Sequence, residues 1–389
     1  MASRVILCLN SGSSSLKFAL YQIGDGKETL LAQGAVERTS AHSGDLWIRS
    51  EHGKIEKSGI EISSASAALH EASIQMETLQ FPRADAVGHR IVHGGPSHAA
   101  PERISDTLLE ELRGLIPFAA LHLPDEIAGI EAVSSHLRGL PQVACFDTAF
   151  HRAMPEVAQR FPLPRVLWDE GIRRYGFHGI SYEYIMRTLG ANPPSRVIIA
   201  HLGNGASMAA VKDGSPIDTT MGFTPTGGLM MGTRSGDLDP GVVLYVLNKG
   251  HFDVQRLTAL LNHQSGLLGV SGISDMKTLL ERRGSEPEAA MAVQMFCYQV
   301  RKQIGALSAA LGGLDLLVFT GGIGERAAPV RWEACGGLEH LGIELERERN
   351  DANADTISTD NSRCLVRVIP TNEDLMIARH TSEVVFSAQ

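Results

Sequence analysis

Several things are missing from this chain, and each absence narrows the possibilities. Positive charge is not in excess: the net charge is −9, with no basic face for general nucleic-acid binding. Cysteine is sparse. The five present (Cys8, Cys145, Cys297, Cys335, Cys364) show no C-x-x-C spacing, and three sit in apolar runs, as in reduced core thiols of a cytosolic protein. No apolar run approaches the ~18 residues of a membrane span, and the N-terminus lacks a signal-peptide core, so a cytoplasmic protein with no membrane partner is expected. Neither G-x-x-x-x-G-K-[ST] nor G-x-G-x-x-G occurs, which excludes a P-loop and disfavours a Rossmann cofactor. His89 and His93 have helical metal-pair spacing but lie in a predicted strand, so zinc is not expected.

What is present is an ordinary globular composition, 43 % hydrophobic over 389 residues, enough for two or three domains. Residues 5–21, VILCLNSGSSSLKFALY, read as strand, tight polar turn over 10–15, strand. A turn of small residues lets backbone N–H groups approach an anion, and Ser13, Ser15 and Lys17 add donors. The same pattern recurs at 197–211, VIIAHLGNGASMAAV, with Val5-Ile6-Leu7 over Val197-Ile198-Ile199 and Ser15-Leu16 over Ser207-Met208. Two copies half a chain apart predict a duplicated domain, whose two turns can hold a polyphosphate.

Along the chain the patterns predict a third strand at 29–37, a short hairpin around 46–48, and helices at 63–79, 105–117 and 123–137. Arg90, mid-strand among apolar residues, either meets a carboxylate or faces a cleft, and the cleft is favoured, which leaves it unpaired. Asp147 follows the buried strand 142–146, where α/β sheets place chemistry, or else caps a helix. Residues 222–237 form a long loop with five glycines and a second unpaired arginine, Arg234. Helices are predicted at 181–189, 240–249, 253–262 and 286–312. The strand 314–320 runs into Gly321-Gly322-Ile323-Gly324; a helix to about 341, a solvated stretch 344–355, a strand 364–369 and a helix from Glu373 close the chain.

Phosphate-facing turns, two arginines, the carboxylates Asp147 and Glu373 and the histidines His178 and His201 together fit magnesium-dependent phosphoryl transfer from a nucleotide. The residues alone leave phosphotransferase and nucleotide-driven ATPase open.

Eight blocks in order, NSGSSSLK, GHRIVHGG, FDTAFH, RRYGFHG, HLGNGAS, GFTPTGGLMMGTRSGDLDPG, FTGGIGE and IPTNED, resemble the acetate kinase family across nearly the whole chain. The resemblance implies an α/β fold of two duplicated ribonuclease-H-like (actin-like ATPase) domains with a nucleotide cleft between them. It divides the chain into an N-terminal acyl-substrate domain (1–148, with helix 374–389 packing back on it) and a nucleotide-binding domain (149–373). It implies reversible transfer between ATP and acetate, giving ADP and acetyl phosphate, with Mg²⁺ or Mn²⁺ and a homodimer. Arg90, Arg234, His178 and Asp147 would be catalytic. His201, Asn204, Gly205, Ser13, Ser15 and Lys17 would line the phosphate track. Gly203, Asp275, Met276, Lys277, Gly321, Gly322, Ile323 and Gly324 would bind nucleotide, and Asn10 and Glu373, with Asp147, would position the metal. Val92, Leu121, Phe177 and Pro225 match the family's acyl pocket, where Val92 favours acetate over propionate. Tyr182 stands where the family commonly has His, and Asp275-Met276-Lys277 where it tends to Asp-x-Arg. A propionate or butyrate kinase, or a switch ATPase of the actin and chaperone kind, are the rival readings.

Overall fold

The computed structural model describes residues 3–12, 15–40, 43–51, 53–250 and 252–387. It divides into two compact units, Met1–Ala149 with Asn372–Gln389, and Phe150–Thr371.

The first unit is built on an eight-stranded sheet. Its strands are β1 (Arg4–Ser11), β2 (Ser15–Gly24), β3 (Lys27–Arg38), β4 (Ser43–Ser50), β5 (Gly53–Glu61), β6 (Ala86–Ile91), β7 (Glu102–Arg103) and β8 (Gln142–Phe146), in the order β5-β4-β3-β2-β1-β6-β8-β7. The period of two in β1 sorts its side chains: Val5, Leu7 and Leu9 join Leu69, Ala72 and Val133 of two covering helices, Ala65–Thr78 and Leu123–His136, in one apolar core. Cys8 takes the other face, where its thiol lies 3.2 Å from the Asp374 carbonyl of the C-terminal helix Glu373–Phe386. That helix packs on β6 at Gly88, where a Cβ would come within 2.5 Å of Ile377 Cγ2, so only glycine allows the approach.

The second unit holds β9 (Arg196–Leu202), β10 (Ala206–Lys212), β11 (Ser215–Thr219), β12 (Leu316–Thr320) and β13 (Leu365–Val368), ordered β11-β10-β9-β12-β13. Strands β9, β10 and β12 are almost wholly buried, and Val197, Ile199, Val211, Leu316 and Val318 form a core with Tyr182 and Ile185 of the helix Gly179–Leu189.

The duplication inferred from the two hairpins is a duplication of topology. In each sheet a strand pairs antiparallel with its successor, that with the next, and the first strand pairs parallel with a later one that pairs parallel with another in turn: β3-β2-β1-β6-β8 against β11-β10-β9-β12-β13. This is the arrangement expected of two ribonuclease-H-like domains.

Local differences from the sequence reading have physical causes. Asn10 and Ser11 belong to β1 and not to the turn, because the ladder pairs Asn10 with Lys17 and Ser11 with Leu16. The short hairpin around 46–48 is two full strands. β5 was not legible because its residues are nearly all exposed and so carry no apolar alternation. The stretch 344–355 contains a helical turn, Arg347–Asp351, capped by the Glu346 side chain.

Candidate functional site

In the first unit the parallel strands β1, β6 and β8 bring their C-terminal ends to one edge, and the chemistry-bearing side chains follow from that alignment. Arg90 is not unpaired. Its Nε donates to Asp147 Oδ1 and Oδ2 at 3.2 and 3.1 Å, its Nη2 donates to Oδ2, and its Nη1 reaches Asn10 Oδ1 at 3.4 Å. A strand arginine removed from water needs such a partner, and Asp147, wholly buried at the next strand end, supplies a two-pronged one. Burial alone would lower the guanidinium's affinity for its proton; Asp147 and Glu373 outweigh that and hold Arg90 above its ordinary range.

Around this pair stand more carboxylates than one arginine can neutralise. Glu373 Oε1 is buried with no hydrogen-bond partner among the described residues. Asp374 beside it is pushed up to about 6, by burial first and then by Glu373. Glu126 was not anticipated. It is 3 % exposed on the helix Leu123–His136, and its two oxygens accept from the Val92 backbone N–H at 3.2 and 3.0 Å. Burial pushes its carboxyl up to about 8. Val92 itself is buried and Leu121 half-buried. Ser15 and Lys17 open β2, the former half-buried and the latter exposed; Ser13 lies outside the described residues.

In the second unit a relay of hydroxyls orients two histidines. His178, with φ of 58° at the start of the helix Gly179–Leu189, places Nδ1 2.8 Å from Ser207 Oγ, and the Tyr182 hydroxyl bonds to the same Ser207 oxygen. With Tyr182 donating to Ser207 and Ser207 to Nδ1, the ring proton of neutral His178 sits on Nε2. A side chain at Gly205 would meet His178 Nε2 at 3.3 Å and Arg234 Nη1 at 3.6 Å, so the two donors converge on the space that glycine leaves open. His201 stacks on His178 with ring centroids 4.3 Å apart, and Ser181 links its Nδ1 to Thr371. Arg234 is anchored by donation to the Pro225 carbonyl at 3.1 Å. Asn204 is packed against Gly232, whose N–H donates to the Asn204 carbonyl at 3.0 Å. Phe177 and Pro225 are buried in this unit, apart from Val92 and Leu121 in the first.

The Gly321–Gly324 segment is the first turn of a short helix, Gly321–Arg326, following β12 directly. Gly321 has φ of 75° and a Cβ there would press on the Leu202 backbone at 2.8 Å, which fixes glycine at that corner. Glu325 braces the corner by accepting from the Gly321 and Thr371 N–H groups at 3.0 and 3.2 Å. Arg331, fully buried, donates to the Gly324 carbonyl at 2.8 Å and to Asn350 and Asn353. Neither brace stood out in the sequence, since an arginine within a helix gives no periodic sign of burial. Asp275 caps the helix Met276–Arg282 by accepting from the Thr278 N–H at 2.8 Å; Met276 is buried and Lys277 exposed.

Comparison with known proteins decides the family. The model of the acetokinase family matches residues 5–379. The chain belongs to the acetokinase family. It is 45 % identical to the acetate kinase of Methylocella silvestris over 97 % of each chain. A solved acetate kinase from Porphyromonas gingivalis superposes with a TM-score of 0.88 at 36 % identity, covering 98 % of this chain and all of the other. A solved propionate kinase from Francisella tularensis gives 0.92 at 36 % identity with the same coverage. This acetokinase is therefore a phosphotransferase with a carboxyl group as acceptor and ATP as donor, and its fold is that of two actin-like ATPase domains. Among the described residues no helix is long and apolar enough to cross a membrane.

Proposed function

We propose that the enzyme transfers the γ-phosphoryl group of ATP reversibly to acetate, giving acetyl phosphate and ADP by direct in-line displacement. The observation that carries this reading is the convergence of His178 Nε2 and Arg234 on one small space at Gly205. Two donors aimed at one point suit the oxygens of a phosphoryl group in transit. Arg90 presents a second guanidinium, held rigid by Asp147, for the carboxylate of the acid. No general base is needed, because the carboxylate is already ionised at neutral pH. His201, Asn204 and Gly205 in the second unit, and Ser13, Ser15 and Lys17 in the first, are assigned to phosphate contacts by the family resemblance. Gly203, Gly321 to Gly324 and Asp275 to Lys277 hold the nucleotide in the second unit; the first takes the acid.

Mg²⁺ (or Mn²⁺) is the metal. Among the described residues no three His, Cys, Asp or Glu cluster as a metal cage, but magnesium needs only one or two protein oxygens when phosphates supply others. The orphaned Glu373 Oε1 fits that demand, as does the Asn10 carbonyl oxygen; Asp147 is engaged by Arg90 and positions the set from behind. When bound, the ion would neutralise charge on the β- and γ-phosphates. Val92 and Leu121 of the first unit and Phe177 and Pro225 of the second are assigned to the acyl group by the family resemblance. Discrimination by one methylene is worth only ~1–3 kcal/mol, so propionate turns over more slowly but measurably. The enzyme works as a homodimer in the cytoplasm, in keeping with five free, buried cysteines.

Trapping the acyl phosphate with hydroxylamine tests the reading. With Mg-ATP, strong hydroxamate formation from acetate, weaker from propionate, and a loss of ~10³–10⁵-fold in Arg90→Ala are expected. Equal or greater signal from propionate would move the assignment to propionate kinase. ATP hydrolysis without any hydroxamate would overturn it.

A further inference from the structure

The loop that follows Arg90 is braced by two elements of its own unit, and one of the braces has no part in the reading above. As the chain leaves β6, the Ile91 carbonyl accepts from the Asp147 N–H at 2.9 Å, and the Gly94 N–H donates to Thr148 Oγ1 at 3.0 Å. Both of these partners stand at the end of β8, the neighbouring parallel strand. The N–H between them is taken by a helix instead. Val92 donates it to the Glu126 carboxyl, at 3.2 Å to Oε1 and 3.0 Å to Oε2. The Ile91–Val92 peptide is thus held by its carbonyl on Asp147 and by its N–H on Glu126. Arg90, whose side chain Asp147 also grips, comes directly before it.

Glu126 stands in the first turn of the helix Leu123–His136, and that helix is a firm support. Ile127, Ile130 and Val133 are buried along it, and Gly129 lies so close to β1 that a Cβ there would come within 2.4 Å of Ser11 Oγ. The helix cannot slide along the sheet without breaking that packing, so the carboxyl it carries is fixed as well. The arrangement is a costly one. Glu126 is buried, its hydrogen-bond partner among the described residues is the Val92 N–H, and burial pushes its carboxyl up to about 8, so at neutral pH it carries its proton. An apolar side chain of the same size would avoid that desolvation. What the carboxyl supplies is an acceptor for an N–H that would otherwise be buried without one, at the residue assigned to the acyl group.

We propose that Glu126 is a positioning residue for acid recognition: by holding the Val92 N–H it fixes the side chain that discriminates acetate from a longer acid. The inference rests on the acetate reading above and adds to it a residue that touches neither acid nor phosphate. Val92 can exclude a methylene only if its backbone cannot retreat, and retreat is what the hydrogen bond to a packed helix prevents.

The test is the ratio of kcat/KM for acetate to that for propionate, measured by hydroxamate formation in the full-length enzyme. Glu126→Leu keeps the bulk of the side chain and removes the acceptor. The ratio is expected to fall about fivefold or more, within what one methylene can be worth, while KM for ATP stays within about twofold of the parent. Glu126→Gln, which matches the protonated carboxyl in shape and keeps an acceptor, should restore the parental ratio. Ala132→Gly, in the same helix and away from Val92, lowers the melting temperature through the helix alone and should leave the ratio where it was. Glu126→Met, more adaptable in shape, carries the test should the leucine variant fail to fold. A parental ratio in the leucine and methionine variants, an equal fall in Glu126→Gln, or an equal fall in Ala132→Gly overturns the proposal and leaves Glu126 with a role in stability only. A parent that turns over the two acids equally, or neither, overturns the acetate reading itself and the proposal with it.

Discussion

At the scale of single residues, two side chains beside the proposed reacting groups set their state. Tyr182 is fully buried, with its hydroxyl on Ser207 and its ring packed against Phe150 and His151. Tyr182→Phe keeps that packing and removes the donor that fixes the Ser207 proton. The ring of His178 then loses its preference for carrying the proton on Nε2. The expected result is a fall in kcat of roughly tenfold to a hundredfold, the lower range for a single general acid or hydrogen-bond donor, with KM for ATP nearly unchanged. An unchanged kcat would show that Ser207 orients His178 without help. Glu126 sets a different property. Its folded carboxyl titrates at about 8 against 4.5 in the unfolded chain, raised by burial before any other cause; Asp147 and Asp125 add to it, and the Val92 N–H and Arg90 oppose it. A carboxyl whose pKa is raised by folding stabilises the native state below its unfolded value, and this contribution is lost as pH rises through the folded one. Glu126→Gln preserves an acceptor for Val92 and cannot ionise. The melting temperature of the variant should therefore gain on the parent between pH 5 and pH 9, by roughly several degrees at the upper end. Parallel pH profiles of the two proteins would contradict this.

At the scale of elements, what was legible in the sequence was whatever repeats or alternates. The apolar runs of β1, β9 and β12 and the glycine corners that follow them announced strands ending in polar turns, and the eight motif blocks carried the fold with them. β5 escaped because exposed edge residues such as Lys54, Glu56 and Lys57 have no reason to alternate. The partner of Arg90 escaped for a different reason. Asp147 is 57 positions away, and only the parallel pairing of β6 with β8 makes them neighbours. Glu126 and Arg331 share that fate: a charged residue in a helix reads as solvated unless something shows what surrounds it. So the sequence reached residue identities along strand ends, while the acid–base partnerships that define their electrostatic state depended on tertiary pairing.

At the scale of the whole molecule, the proposed homodimer has a surface that calls for it. The helix Pro240–Asn248 reads PGVVLYVLN, apolar along its length, yet none of its residues is buried; Leu244 is 59 % and Tyr245 61 % exposed. The long helix Pro287–Leu311 leaves Met291 and Tyr298 exposed as well, and Val242 and Met295 line a common cavity of about 410 Å³, so the two helices share one face. An isolated helix of nine residues does not hold together by propensity, and this one has little packing of its own to hold it. Apolar patches of this kind on one face mark association surfaces, and covering them with a second copy of the same face gives the closed two-fold contact usual for soluble oligomers. Light scattering should then give a mass of twice 41.9 kDa at micromolar concentration. Val242→Glu combined with Leu244→Lys, both at exposed positions, should return the protein to a single chain without unfolding the sheet behind it. A parent enzyme that already scatters as a monomer would remove the homodimer, and a double variant that stays dimeric would place the contact on another face.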